Sequence, residues 1–144
     1  MKAYTYIEHG RFELLDKPNP ALQDPRDAIV RVTLASICTS DLHIKHGSVP
    51  RAVEGITVGH EMVGIVEAVG SEVRSVKVGD RVIVNQVTSC GHCYPCKIGR
   101  GNVCDNLKVR GVHIDGGYRE FITVPESDCY LLPDSLSDQD AVMI

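Results

Sequence analysis

Apolar residues along the chain fall in short runs that alternate with polar ones at a period of two, the spacing of half-buried strands. Residues 28–37 read A-I-V-R-V-T-L-A-S-I, which puts Val30, Val32 and Leu34 on one face and Arg31 and Thr33 on the other. Residues 63–69 and 81–84 are β-branched runs bounded by Gly64, Gly70, Gly79 and Asp80, with a turn predicted at Lys77-Val78-Gly79-Asp80. Residues 118–124 alternate again and stop at Pro125; residues 129–132 stop at Pro133. Residues 2–7 and 12–15 are predicted to pair as a hairpin across His9-Gly10.

Helix signals are few. Residues 40–45 predict one short helix ending at Gly47. Ser137-Asp138-Gln139-Asp140 reads as a capping box followed by apolar Ala141, Val142, Met143 and Ile144. The sequence stops within two turns of that start, so the expectation is a fragment that ends before a further domain. Many short strands with glycine turns predict one mainly β domain over residues 1–144, a barrel or sandwich. Residues 88–106 lack periodicity and predict a lobe standing off the β body.

Composition narrows the function classes. Charged residues are 24% of the 144 and the formal net charge is −4. The basic residues are scattered, which argues against nucleic acid or an anionic membrane as partner. No apolar stretch approaches the ~20 residues of a membrane span. The start, MKAYTYIEHGRF, lacks the apolar core of a signal peptide. A reducing, cytoplasmic location is expected, so the 6 cysteines need a role other than disulfides.

Four of them, Cys90, Cys93, Cys96 and Cys104, form C-x2-C-x2-C-x7-C. A loop this poor in apolar residues cannot order itself by burial, because fixing each residue costs about 1–2 kcal/mol of backbone entropy. A tetrahedral zinc held by four thiolates supplies the missing stabilisation, since metal-binding free energy becomes folding free energy. An iron–sulfur cluster is the rival, but the seven-residue last spacing and the lack of a following proline depart from the ferredoxin run.

A second constellation lies upstream. Gly59-His60-Glu61-Met62-Val63-Gly64, with Gly70 and Val73, spells G-H-E-x2-G-x5-G-x2-V, and Cys38-Thr39-Ser40-Asp41-Leu42-His43 precedes it. Together with the lobe cysteines these segments resemble the zinc-dependent medium-chain alcohol dehydrogenases over essentially the whole chain. The resemblance implies a GroES-like, partly open β-barrel carrying a cysteine-rich zinc lobe and few short helices. It implies a structural zinc on Cys90, Cys93, Cys96 and Cys104, and a catalytic zinc on Cys38 and His60, with Glu61 beside or on that metal. Asp41 would accept a hydrogen bond from His60 and set its tautomer. Ser40 would take the proton of the alcohol and His43 would pass it toward solvent. The substrate would be a small alcohol, polyol or aldehyde, the hydride acceptor NAD or NADP, and the full protein a homo-oligomer.

The dinucleotide-binding turn G-x-G-x-x-G does not occur in these residues. Residues 1–144 alone are therefore expected to lack dehydrogenase activity, and a third protein ligand to the catalytic zinc is expected from beyond Ile144. The alternative reading, a zinc-stabilised binding module without enzymatic activity, lacks the paired C-x2-C hairpin of zinc ribbons and their basic patches. A chaperonin-like subunit would share the barrel but have no use for Cys38, His60 and the lobe. Cys129 is read as core, His9 and His46 as surface, and His92 as superfluous beside four thiolates. His113 faces either the substrate cleft or solvent.

Overall fold

A computed structural model describes all 144 residues. The strands are β1 (Lys2–Glu8), β2 (Arg11–Asp16), β3 (Asp27–Ser36), β4 (Glu61–Val69), β5 (Arg81–Val84), β6 (Val87–Thr88), β7 (Lys108–Val109), β8 (Phe121–Pro125) and β9 (Cys129–Leu131). Three short helices join them: α1 (Thr39–Lys45), α2 (Tyr94–Lys97) and α3 (Asp138–Ala141). None is long and apolar enough to cross a membrane.

β8, β3, β4, β5 and β9 form, in that order, one antiparallel sheet. The sheet is open, with β8 and β9 at its edges. β1 and β2 make the predicted hairpin, bridged to the body at Ala3–Arg119 and Thr5–Thr57. The barrel is therefore partly open, as the resemblance implied. β6 pairs with β7 at the base of the lobe.

Ala28, Val30, Met62, Val66, Val82, Val84, Ile122 and Val124 form the main core with Cys129, as expected for that cysteine. Each fully buried aliphatic side chain contributes about 1.5–3 kcal/mol. Burial also pushes the Cys129 thiol up to about 12, so it stays protonated. One element departs from the alternation read in the sequence. Val30 and Val32 face the main core, but Leu34 packs on the opposite face with Val63, Ala141 and Val142. Val32 pairs with Gly64 and Leu34 with Val63, so Thr33 is the extra residue of a β-bulge that reverses the faces beyond it. The Thr33 hydroxyl then donates to Asp138 at 2.8 Å, joining β3 to the start of α3.

α3 begins where the capping signal placed it. The Asp140 amide donates to Ser137 Oγ at 3.1 Å, and Arg81 reaches Asp138 at 2.6 Å. The short β6, β7 and α2 had no sequence signal.

Candidate metal centre

Antiparallel pairing of β3 and β4 brings Ser36 opposite Glu61. Cys38 follows the end of β3 and is the N-cap of α1; His60 and Glu61 open β4. Ligand atoms of Cys38, His60 and Glu61 accordingly lie within 4.8 Å of one another. His60 is 7% exposed, whereas Cys38 and Glu61 are partly open.

The signature glycines serve this arrangement through close approach. Gly59 has φ +89°, and a Cβ there would overlap the Tyr118 ring. A Cβ at Gly64 would strike the Arg31 carbonyl across the β3–β4 pair, and one at Gly70 the Pro25 carbonyl.

The α1 segment supplies the partners. The Cys38 amide donates to Asp41 Oδ2 at 3.1 Å, and the Asp41 amide to the Cys38 carbonyl at 3.0 Å. Ser40 Oγ lies 3.0 Å from His60 Nε2. The hydrogen bond expected between His60 and Asp41 is not closed: Nδ1 and Oδ1 are 3.8 Å apart. Both atoms are buried and neither has another partner. Oδ2 is occupied instead, by the Cys38 amide and by the Tyr118 hydroxyl at 2.6 Å. Burial first, then the contact with Asp41, push the Tyr118 pKa up, so the phenol remains neutral. His43, three residues beyond Ser40 on α1, is exposed.

His60 and Glu61 line a cleft of about 430 Å³, together with Asn85, Tyr130 and the apolar end of the chain, Val142, Met143 and Ile144. His113 does not line it. Its Nδ1 accepts the Val109 amide at 3.0 Å, a turn role, and burial, then Arg51 and Lys108, lower its pKa. Sequence reasoning did not find Tyr118 or Asn85, because one aromatic after two glycines and one strand-end amide carry no periodic or spacing signal. His9 and His46 are exposed, and so is His92, whose Nδ1 lies 2.8 Å from the Cys90 carbonyl.

The second cluster is the lobe. All six cysteines are free thiols. The sulfurs of Cys90, Cys93, Cys96 and Cys104 lie within 4.8 Å of one another. Cys93 is 3.4 Å from Cys96 and 3.7 Å from Cys104. A tetrahedral set with Zn–S of about 2.3 Å puts its sulfurs about 3.8 Å apart, so the spacing fits a metal and not a disulfide of about 2.05 Å. The amides of His92 and Cys93 lower the Cys90 thiol to about 6, while desolvation and then Cys93 raise Cys96 to about 11. Four thiolates this close cannot all ionise without a cation between them. The donors at both clusters, thiolate and imidazole above all, suit zinc. Between residues 88 and 106 only Cys104 is buried, so apolar packing does not order the lobe.

A model of the alcohol dehydrogenase GroES-like domain matches residues 24–134. The starvation-sensing protein RspB of Escherichia coli K12 is 49% identical over the whole chain, which covers 42% of that protein. A protein named probable D-xylulose reductase A, from Neosartorya fischeri, is 39% identical over 96% of the chain, covering 39% of its own length. A crystal structure of an alcohol dehydrogenase (rspB) from E. coli CFT073, complexed with NADH, superposes with TM-score 0.91 at 42% identity. That superposition covers 99% of this chain and 41% of the other. The chain thus spans about two-fifths of the length of the relatives it matches.

Proposed function

The chain belongs to the alcohol dehydrogenase GroES-like family, and from that premise we propose that it is the catalytic part of a zinc-dependent, NAD- or NADP-linked oxidoreductase interconverting an alcohol or polyol and its aldehyde or ketone. The observation that carries this reading is the meeting of Cys38, His60 and Glu61, the last two lining the cleft, apart from the four-cysteine lobe. Residues 1–144 make one domain, with residues 88–106 as its structural lobe and residues 137–144 as the lead into a further domain. A cytoplasmic homo-oligomer is the form in which we place the whole protein.

In this reading Cys90, Cys93, Cys96 and Cys104 hold a structural zinc, and Cys38, His60 and Glu61 contribute to a catalytic one. Bound there, zinc supplies Lewis acidity that makes an alcohol hydroxyl easier to deprotonate. Everything else falls to the chain's own groups. Ser40 lies within hydrogen-bond distance of Nε2 of His60, and Asp41 faces Nδ1 at 3.8 Å, beyond a direct bond. Ser40, half-buried beside that ring, would relay the substrate proton by releasing its own hydroxyl proton as it takes up the new one, and exposed His43, three residues on along α1, would pass a proton to water. Buried Met62 and Val142 give the cleft an apolar wall beside His60 and Glu61, against which the carbon end of an alcohol would pack.

Zinc analysis and alcohol-oxidation assays of point variants test the proposal. His60→Ala or Cys38→Ser in the full-length protein is expected to lower zinc from about two per chain to about one and to abolish turnover. Full activity in both variants would refute it.

A further inference from the structure

We infer that Tyr118 is a positioning residue for the Cys38–His60 centre, acting through Asp41; the inference rests on reading that centre as a metal site. The Tyr118 Oη lies 2.6 Å from Asp41 Oδ2 and 2.7 Å from the Ser36 carbonyl oxygen. It thus ties the end of β3 to the first turn of α1, the two pieces of chain that flank Cys38. Its ring lies against Gly59, the residue before His60, at the position a Cβ would occupy. One side chain therefore abuts both segments that bring Cys38 and His60 together.

The hydroxyl also selects which carboxylate oxygen meets the imidazole. Tyr118 and the Cys38 amide both use Oδ2. Oδ1 is left without a partner, buried, and 3.8 Å from the equally unpartnered Nδ1 of His60. At the far side of the ring the Ser40 hydroxyl lies 3.0 Å from Nε2. Only an acceptor faces Nδ1, whereas the Ser40 hydroxyl at Nε2 can donate as well as accept, so these surroundings fit the tautomer with its proton on Nδ1. The lone pair then sits on Nε2, and a lone pair is what a metal ligand must offer. Without the phenol, one of the two groups holding Oδ2 is gone, and the Asp41 carboxylate is free to turn away from the ring.

Tyr118→Phe separates this role from plain packing, because the ring against Gly59 is kept and only the hydroxyl is lost. With the lobe filled by zinc, cobalt(II) is titrated into the full-length protein and followed by its d–d absorption. Tyr118→Phe is expected to weaken cobalt binding at the Cys38–His60 centre by about tenfold, in the range seen when outer-shell partners are removed. Asp41→Asn is expected to weaken it as well, and adding Tyr118→Phe to that variant to change nothing further. In metal-free protein, ¹⁵N spectra of the imidazole should show Tyr118→Phe moving the His60 proton from Nδ1 toward Nε2. A lower melting temperature with unchanged cobalt affinity and unchanged tautomer would make Tyr118 a packing residue and overturn the inference. Independent, additive losses in the double variant would do the same. His60→Ala tells the two failures apart. If it leaves cobalt stoichiometry unchanged, the metal-site reading itself fails; if it removes one cobalt while Tyr118→Phe has no effect, only the role of Tyr118 falls.

Discussion

Position 59 shows how a signature residue can serve packing while its neighbour, His60, is a candidate metal donor. Gly59 takes a left-handed φ, and its missing Cβ leaves room for the Tyr118 ring. Gly59→Ala therefore meets backbone strain and overlap together, which should cost about 2–4 kcal/mol. Urea unfolding reads the stability loss, and zinc content reads the displacement of His60; a midpoint within error of the parent would refute the overlap argument. The role of Gly59 was not legible in the sequence, which shows a glycine but not the ring 59 residues later that needs its space. Cys129 was legible, because a lone cysteine in an apolar run is a small hydrophobe wherever the run is buried. His113 was not, since only the turn that aims the Val109 amide at Nδ1 separates a structural histidine from a cleft histidine.

Among elements, most strands follow from alternation alone, and the exceptions lie where pairing overrides it. The bulge at Thr33 flips Leu34 away from the face shared by Val30 and Val32, and the purpose of that flip, a second small core under α3, is a tertiary fact. β6 and β7, two residues each, exist because the base of the lobe is clasped to the sheet. Arg110, 3% exposed in its side chain, pairs with Asp128 at 2.7 Å and reaches the Asn85 carbonyl at 3.1 Å and Thr88 Oγ1 at 3.0 Å. Removing one partner of a buried pair strands the other charge. Asp128→Ala is accordingly expected to cost about 3–5 kcal/mol in thermal or urea unfolding. A loss below about 1 kcal/mol, the level of exposed pairs, would show that water reaches Arg110.

At the scale of the molecule, the chain carries two clusters of candidate metal donors that differ in how they depend on the rest of the protein. The lobe brings four thiols together within a single stretch of chain. The other centre has three candidate donors beside a cleft walled in part by the last three residues. Residues 1–144 made alone are expected to hold about one zinc per chain, in the lobe, and to oxidise no alcohol. Elemental analysis near zero would sink the lobe assignment, and measurable turnover would sink the need for a second domain. The clustering of the lobe thiols and the G-H-E signature were readable in the sequence, because donor type and spacing are written there and the lobe cysteines are close in the chain. The β class was readable too, since alternation records burial on one face. What tertiary structure alone decided was long-range: the approach of Cys38 to His60 across the β3–β4 pair, the Thr33 bulge, and the phenol of Tyr118 on Asp41. These depend on register and on contacts between residues far apart in the chain, and no local pattern encodes such distances.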